Sequence, residues 1–225
     1  MDYNYIFFDC ESNSGRSHAD ILTISALFVD KNFKLIEEFN CAARLRKSRI
    51  YEIDSFLVNG MDPFEVDKHP FSNFDLTKKT NDKFISWINK GPVLFCAHNG
   101  YQFDYMLTST HLFTNLFTWP WIFSTGNAKQ IDSLPILQNF DFYAPNTIAV
   151  ELNEKSNKTF KLGSLCRMNG FDLGDKAHTA EADTLGMSKL MQLISKKNPE
   201  LFKKSISLND KKNVLSSIKE VDYFC

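Results

Sequence analysis

The sequence lacks a strong net charge of either sign. Its 26 lysines and arginines are balanced by 27 aspartates and glutamates, so the formal net charge at pH 7 is -1. A large basic excess often marks proteins that attract a polyanion through their overall field. This composition excludes that mode of binding, and any highly charged partner must be held by local features of the fold.

Cysteine is scarce. The chain has five cysteines, an odd number, and no two of them form a Cys-x-x-Cys pair. Their wide separation argues against a disulfide framework and against a zinc knuckle. We therefore expect free thiols and a reducing, cytoplasmic environment. The five residues are Cys10, Cys41, Cys96, Cys166 and Cys225.

Long apolar runs and a basic N-terminal segment are also missing. No apolar run approaches the roughly 20 residues that cross a bilayer. Residues 1–4 carry no lysine or arginine that would begin a secretory signal. The sequence therefore predicts a cytoplasmic protein without a membrane partner.

The chain has enough apolar sequence to build one substantial core. Its 225 residues are 43% hydrophobic and include 21 phenylalanines. One large domain is favoured over two small ones at this length. We place this domain at residues 1–200, followed by a lysine-rich tail at residues 201–225 that either forms a helix or begins a linker.

Hydrophobic patterning predicts an α/β protein. Continuous apolar runs or alternation predict strands, and apolar spacing of three to four residues predicts helices. The segments after residue 60 and around residue 155 are predicted to be loops. The predicted strands are 5–11, 21–29, 34–39 and 93–97, and the predicted helices are 50–59, 71–89, 103–114, one from 130, 160–169, 180–197 and one from 210.

Two acids end the first predicted strand. Side chains alternate along a strand, so Asp9 and Glu11 emerge on the same side. Two neighbouring carboxylates repel each other unless a cation lies between them, which favours a divalent metal. Taken alone, Asp-x-Glu is more often a strand end exposed to solvent.

Further acids are predicted at the starts of two helices. Asp104 lies in the first turn of predicted helix 103–114, which follows strand 93–97, and Asp183 lies in the first turn of predicted helix 180–197. His178 precedes Asp183 by five residues and can point at the same place. Each acid alone is more often a favourable charge at a helix N-terminus, so the prediction depends on all of them together.

The order and spacing of these residues resemble the DEDDh class of 3′→5′ exonucleases. Residues 8–11 resemble the first motif of that class, residues 98–104 the second and residues 178–183 the third. The resemblance implies a ribonuclease H-like fold, with a mixed five-stranded sheet flanked by helices.

Within this class, the chain is similar to the exonuclease domain of the bacterial exonuclease I family. The match includes an Asn-x-x-x-Phe-Asp form of the second motif, a helix pattern before the third motif and Pro-x-Leu-Phe after the last helix. The matching residues are Asn99, Phe103, Asp104, Phe160, Leu162, Leu165, Asn169, Gly170 and 199–202. The resemblance spans nearly the whole chain.

The chain departs from that family in three places. Cys10 and Ser12 stand where the family has Tyr and Thr, and residues 59–62 replace its Thr-Gly-Ile-Thr. The family continues into further domains that help clamp single-stranded DNA, whereas this sequence stops at Cys225. We therefore expect either a truncated piece or a natural minimal form, with processivity the property most affected.

The resemblance implies metal-dependent hydrolysis of single-stranded DNA to 5′-mononucleotides. Asp9, Glu11, Asp104 and Asp183 would hold two Mg²⁺ ions, for which Mn²⁺ would substitute, and His178 would be the general base. Hard oxygen ligands suit these ions better than zinc. Asp132 would orient the site without touching the metal, although a simple helix-start acid is an equal alternative.

Substrate contacts are less distinctive in the sequence. Candidates for packing on the terminal nucleoside are apolar, aromatic or small polar residues, for which core packing is the alternative. The basic cluster Arg44, Arg46, Lys47 and Arg49 could touch phosphates or form a solvated loop. The candidate nucleoside contacts are Ser12, Leu22, Met61, Asn99, Tyr101 and Phe103.

Single-stranded DNA is the expected partner, with a single-stranded-DNA-binding protein as a second candidate. We expect the protein to be a monomer.

Two other functions remain open from the sequence. One is a DEDDh exonuclease that acts on RNA ends or as a proofreading subunit. The other is a non-catalytic nucleic-acid-binding module with the same fold. The presence of all four acids and His178 argues against the second.

Overall fold

A five-stranded mixed sheet forms the centre of the fold. The computed structural model describes residues 2–16, 18–48, 51–117, 121–171 and 179–219. The strands, in chain order, are Asn4–Ser12 (β1), Ile21–Val29 (β2), Leu35–Ala42 (β3), Val93–Ala97 (β4) and Ala128–Asp132 (β5). Across the sheet they lie in the order β3-β2-β1-β4-β5, so β1 occupies the middle.

The register of β1 leaves its last residues beyond the parallel part of the sheet. β1 pairs antiparallel with β2 along its length, and Asp9 lies opposite Ser25. Its parallel pairing with β4 stops at Phe7, opposite Cys96. The backbone after Phe7 is therefore open to other partners on the β4 side, where β4 and β5 run parallel and end together at Ala97 and Asp132.

Helices cover both faces of the sheet. A short antiparallel hairpin, Glu151–Leu152 (β6) with Lys158–Thr159 (β7), lies apart from it. Residues Ile122–Ser124 form a 3₁₀ helix. The α-helices are Ile53–Asn59 (α1), Pro63–Val66 (α2), Asn73–Ile88 (α3), Asp104–Thr114 (α4), Ser133–Tyr143 (α5), Leu162–Met168 (α6), Ala180–Lys197 (α7), Pro199–Ser207 (α8) and Lys211–Lys219 (α9).

Alternation along β1 divides the core into two layers. Ile6, Phe8 and Cys10 face a cluster that includes side chains from α3, α4 and the 3₁₀ helix. Tyr5 and Phe7 face the opposite cluster, which includes side chains from α5, α6, α7 and α8. By the same alternation, Asp9 and Glu11 continue the row of Tyr5 and Phe7 on the α7 side.

The carboxylate of Glu37 connects α3 to the edge strand β3 through hydrogen bonds. Glu37 on β3 accepts hydrogen bonds from Lys83 Nζ at 2.5 Å, Trp87 Nε1 at 2.7 Å and Lys90 Nζ at 3.1 Å. These bonds to the charged carboxylate lower the pKa of Glu37 to about 2. The ion-pair network is partly exposed, so we expect its main effect to be the placement of α3.

The predicted α/β class and the ribonuclease H-like five-stranded sheet are confirmed. The main correction concerns residues 130–132, which were predicted to start a helix. They belong to strand β5, Ala128–Asp132, and the helix begins at Ser133. The Asp132 side chain accepts from Leu134 N, so this residue ends the strand and caps α5.

Smaller differences lie at element ends and in loops. Helix α1 begins at Ile53 instead of residue 50, and β3 extends to Ala42. The predicted loop after residue 60 contains α2, and the polar segment around residue 155 contains the β6–β7 hairpin. These elements are too short to show a helical or a strand-like hydrophobic periodicity in the sequence.

The start of the predicted tail packs against the core. Phe202 and Ile206 of α8 are buried with the α7 layer, whereas α9 has no buried residue. Helix α8 crosses the boundary proposed at residue 200, and the division into 1–200 and 201–225 stays a prediction. The described segments contain no helix that is long and apolar enough to cross a membrane. Free thiols are confirmed for the four described cysteines, which are buried.

The aromatic cluster under β1 predicts a large cost for truncating Phe123. Its ring contacts those of Phe8, Phe95 and Tyr105 at centroid distances of 5.2, 4.9 and 4.9 Å. Phe123→Ala should lower the free energy of unfolding by about 3–5 kcal/mol because it leaves a cavity. Denaturant unfolding measures this, and Phe113→Ala at an exposed position is the control, with a change within about 0.5 kcal/mol. Equal losses in both variants would contradict the assignment of Phe123 to the core.

Candidate metal and active site

Three carboxylates converge at the end of β1. Asp9 and Glu11 come from the strand, and Asp183 comes from the first turn of α7, which packs across β1 and β2. Each offers a carboxylate oxygen, and these oxygens all lie within 4.8 Å of one another. The structure therefore brings together three of the four predicted metal ligands, in a place that is neither fully buried nor fully exposed.

Asp104 approaches the same strand end from the other face of the sheet. Its side chain is buried, and Oδ1 accepts a hydrogen bond from Cys10 N at 3.0 Å. Cys10 Sγ lies 3.6 Å from Thr108 Oγ1, one turn further along α4. Cys10 thus contacts α4 through both its backbone and its side chain, which fixes the start of α4 against the strand that carries Asp9 and Glu11.

Burial and the charges of neighbouring acids raise the pKa values of Asp9, Glu11 and Asp104. Burial, followed by the charges of Asp104, Glu11 and Asp183, raises the pKa of Asp9 well above its usual range. Burial and the charges of Asp183 and Asp104 raise the pKa of Glu11 to about 8. The pKa of Asp104 rises to about 7, mainly through burial, although the hydrogen bond from Cys10 N opposes the rise.

These residues fit a divalent cation. Carboxylate oxygens are the ligands that Mg²⁺, Mn²⁺ and Ca²⁺ prefer, and a cation would remove the repulsion that raises the pKa values. The Cys10 thiol, which lies between Asp9 and Glu11 in the strand, is turned toward Thr108, and the set of converging ligands consists of carboxylates, which disfavours a sulfur-ligated metal. Asp9, Glu11 and Asp183 would hold the ion, with Asp104 next to them.

Asp132 holds the loop that leads into α4. Its Oδ1 accepts hydrogen bonds from Asn99 N at 2.8 Å and Leu134 N at 2.9 Å, and its Oδ2 accepts from Tyr101 N at 3.2 Å. One buried carboxylate therefore ties the β4–α4 loop to the start of α5. The predicted orienting role of Asp132 is compatible with these contacts and stays a prediction.

The β4–α4 loop has a backbone that few residues can adopt. Asn99 has φ +58°, in the left-handed region that asparagine tolerates better than most residues. A Cβ at Gly100 would lie 2.3 Å from the Cβ of Ala97, so only glycine fits there. Both features turn the chain sharply after β4 and bring Asp104 to the strand end.

His98 serves the structure of this loop. Its Nε2–H donates to the carbonyl of Phe160 at 2.9 Å, and its Nδ1 lies 2.9 Å from the Ser133 hydroxyl. The Ser133 hydroxyl also donates to the carbonyl of Ala97 at 3.3 Å. Burial lowers the pKa of His98, which favours the neutral ring. Both ring nitrogens are thus used within the protein, in agreement with a loop-shaping role.

Two predicted nucleoside contacts lie beside the acids. Ser12 and Phe103 line an open cavity of about 250 Å³ together with Glu11, Val58 and Asn59. The Ser12 hydroxyl donates to Ser14 O at 2.6 Å, whereas Asn59 Nδ2 donates to Ser12 O at 3.2 Å. This cavity lies between the end of β1 and helix α1.

The other predicted nucleoside contacts lie elsewhere. Leu22 is fully buried in a small core cluster with Phe56 and Val66, as its core alternative requires. Met61 packs against that cluster and also lines a separate cavity of about 380 Å³ near the start of α7. Leu22 therefore presents no surface to a ligand.

Tyr101 and Asn99 are exposed on the β4–α4 loop. The Tyr101 hydroxyl donates to Gln130 O at 3.2 Å, and its ring lies 5.5 Å from that of Tyr105. The backbone of both residues is held by Asp132, as described above. Their side chains are accessible from outside, and their contact with substrate stays a prediction.

Some predicted residues lie partly or wholly outside the described chain. His178 falls in residues 172–178 and Arg49 in residues 49–50, which the structure does not describe. Of the basic cluster, Arg44 donates to Pro70 O at 2.7 Å, and Arg46 pairs with the buried Asp20 at 3.0 Å. These two arginines have partners within the protein.

The chain resembles exonuclease I along almost its whole length. No family model matches. A curated relative, Exodeoxyribonuclease I of Buchnera aphidicola subsp. Schizaphis graminum, is 26% identical over 99% of this chain and 45% of its own. The predicted resemblance to the exonuclease portion of that enzyme is confirmed. The chain spans about half the length of the curated relative it matches.

Solved structures show the same fold. E. coli exonuclease I in complex with a dA16 oligonucleotide aligns with a TM-score of 0.87 at 18% identity, over 95% of this chain and 45% of that one. A zinc-bound E. coli exonuclease I–single-stranded DNA complex gives 0.86 at 18%, over 95% and 45%. A structure described as SSB/exonuclease I with inhibitor CFAM gives 0.85 at 18%, over 96% and 46%.

The mutual repulsion of the acids predicts that Asp9→Asn stabilises the metal-free protein. A raised pKa in the folded state means that stability is greatest below the unfolded pKa, about 3.9 for Asp, and falls as pH rises through the folded pKa. At pH 8 the variant should therefore melt higher than the wild type. One pKa unit is about 1.4 kcal/mol, and this corresponds to about 3–6 °C for a chain of this size.

The measurement is a thermal melt in a chelator at pH 5 and pH 8, with Glu154→Gln as a control for losing an exposed acid. The advantage of Asp9→Asn should shrink at pH 5, because this lies below the raised pKa values of Glu11, about 8, and Asp104, about 7, so these neighbours carry less charge. Added Mg²⁺ should raise the melting temperature of the wild type more than that of the variant. A variant that melts lower than the wild type in chelator at pH 8 would contradict the electrostatic description of the site.

Proposed function

We propose that this chain is a metal-dependent 3′→5′ exonuclease that hydrolyses single-stranded DNA to 5′-mononucleotides. The observation that carries this proposal is the convergence of Asp9, Glu11 and Asp183 within 4.8 Å, with Asp104 bound to the backbone between the first two. Asp9, Glu11 and Asp104 have raised pKa values. Such perturbed acids are costly to maintain and are concentrated at functional sites.

The similarity to exonuclease I supports the same function. The curated relative carries the name Exodeoxyribonuclease I, and the structural relatives include complexes with a dA16 oligonucleotide and with zinc and single-stranded DNA. The chain matches less than half of each of these proteins. Activity on single-stranded DNA is therefore proposed for this chain on the basis of its own acidic site together with that likeness.

We propose Mg²⁺ as the natural metal, in two ions, with Mn²⁺ as a substitute. Asp9, Glu11 and Asp183 would hold one ion, and Asp104 would contribute to holding the other. Ions held here would lower the pKa of a bound water and stabilise negative charge on the leaving 3′ oxygen. The carboxylate-only ligand set supports hard cations of this kind.

The chain's own residues would orient the substrate and move the proton. His178 would accept the proton of the water that attacks phosphorus, since an unperturbed pKa of about 6.5 suits a general base at neutral pH. The cavity beside Glu11, lined by Ser12 and Phe103, would receive the terminal nucleoside. Asp132 would keep the β4–α4 loop, and through it Asp104, in position.

Two further parts of the proposal concern partners. A single-stranded-DNA-binding protein is proposed as a partner, supported by the structural relative described as SSB/exonuclease I. The protein is proposed to act as a monomer in the cytoplasm.

A direct test is digestion of a 5′-labelled single-stranded DNA in the presence of Mg²⁺. The proposal predicts a ladder that shortens from the 3′ end, release of 5′-mononucleotides and no products in chelator. Asp183→Asn is the matched inactive control, because it removes one ligand charge and keeps the side-chain shape. Matched duplex DNA and RNA substrates test the alternatives: faster cleavage of RNA ends would favour an RNA exonuclease. An endonucleolytic pattern, or DNA binding without Mg²⁺-dependent products, would overturn the proposal.

The role of His178 predicts a selective loss of turnover. His178→Ala should leave metal and DNA binding largely intact and reduce kcat by about 100-fold or more, because only proton transfer is removed. Single-turnover digestion, together with DNA binding measured in Ca²⁺, separates the two effects. His69→Ala, a surface substitution on the loop after α2, is the control. An unchanged kcat in purified His178→Ala would exclude His178 as the base.

A further inference from the structure

We propose that a buried pair of hydroxyls, Ser25 on β2 and Thr184 on α7, positions Asp183 against Asp9 and Glu11. This inference rests on the proposed function, because it assigns the pair to the metal site. The pair would act through the backbone and would touch neither metal nor substrate. Ser25 and Thr184 are therefore proposed as positioning residues.

The two hydroxyls link the elements that carry the acids. Ser25 Oγ lies 3.1 Å from Thr184 Oγ1, and both side chains are almost completely buried. Ser25 on β2 lies directly opposite Asp9 on β1. The two side chains are therefore neighbours on the same face of the sheet. Thr184 directly follows Asp183 in the chain. The bond therefore joins the immediate neighbour of one ligand to the immediate neighbour of another.

The direction of the hydrogen bond follows from the second contact of Thr184. Thr184 Oγ1 donates to the carbonyl of Glu181 at 2.9 Å. A hydroxyl has one hydrogen to donate, so toward Ser25 it accepts, and the Ser25 hydroxyl is the donor. The result is a chain from the strand to the first turn of the helix, Ser25 to Thr184 to Glu181 O.

This chain holds the part of α7 that electrostatic repulsion would displace. Asp183 places a carboxylate oxygen within 4.8 Å of those of Asp9 and Glu11, so before a cation binds, like charges on these acids would push the first turn of α7 away from β1. The large apolar side chains that bury α7 lie further along the helix, from Met187 to Ile194, and the first turn buries only the small side chains of Ala180 and Ala182. Ser25 and Thr184 supply a polar contact at the charged end of that interface.

Ser25 and Thr184 would thus keep Asp183 close to Asp9 and Glu11 before the metal binds, so that the first turn of α7 needs to move less when it does. Partners that orient metal ligands typically change metal affinity by about 10- to 100-fold when removed. Ser25 and Thr184 act one residue away from the ligands, so we expect an effect below that range. The expected loss is about 3- to 10-fold in Mg²⁺ affinity.

The test compares Ser25→Ala, Thr184→Val, the double variant and the conservative Thr184→Ser. The first readout is the Mg²⁺ concentration at which the melting temperature rises half-way, which does not depend on catalysis. The second is exonuclease activity against Mg²⁺ concentration, with kcat and KM for a single-stranded oligonucleotide at saturating metal. Thr80→Val is the matched control, since Thr80 is also a buried helix hydroxyl that donates to a carbonyl, that of Leu76, on α3.

Both single variants should need about 3- to 10-fold more Mg²⁺ in both assays, with KM unchanged and most activity restored at saturating Mg²⁺. The double variant should need no more Mg²⁺ than the single variant with the lower Mg²⁺ affinity, because all three variants lose the same contact. Thr184→Ser should keep the wild-type midpoint. Thr80→Val should lose thermal stability without a shift in midpoint.

The outcomes separate this inference from the proposed function. If the wild type responds to Mg²⁺ and the variants show the wild-type midpoint, or only a lower melting temperature like Thr80→Val, the positioning role is wrong and the metal site stands. If the wild type shows no Mg²⁺-dependent melting shift and no activity, the proposed function fails and this inference fails with it. If Thr184→Val does not fold, Ser25→Ala and Thr184→Ser decide the question.

Discussion

The structure depends on holding several carboxylates together against their mutual repulsion. Asp9, Glu11 and Asp183 place oxygens within 4.8 Å of each other, and partial burial removes some of the water that would screen them. Both effects raise the pKa values of Asp9 and Glu11, so the metal-free site opposes folding at neutral pH. The surrounding core must supply the stability to offset this cost. The dense aromatic layer beneath β1, with Phe8 at its centre, lies directly under the strand that carries the acids.

The central elements could be predicted from the sequence because they are buried on both sides. Strands β1, β2 and β4 are nearly continuous apolar segments, and α7 has a long apolar face with a clear N-terminus, so their patterns are strong. Strand β5 was missed because it lies at the sheet edge, where Lys129 and Gln130 interrupt the apolar pattern. Its pairing with β4 is a tertiary contact that periodicity along one segment cannot reveal.

The candidate site shows the same limit. Alternation along β1 was enough to predict that Asp9 and Glu11 point to one side. The role of Cys10 in binding Asp104 depends on where the parallel pairing of β1 with β4 stops. The three hydrogen bonds accepted by Asp132 depend on β4 and β5 ending together. Both are consequences of strand register, which motif spacing does not contain.

Register also explains why acids from distant parts of the sequence can meet with little freedom. β1 continues past β4, so its last residues offer a backbone donor to Asp104 on one side and cross-strand neighbours on β2 to α7 on the other. Each helix that brings an acid is thus fastened to β1 or to its direct partner strand by a polar contact near that acid. Because these contacts are buried, a small shift of either helix would break a hydrogen bond and leave a polar group without a partner. The geometry of the acids is therefore set by the sheet, and substitutions that alter strand register should affect the site more than those that shorten the helices.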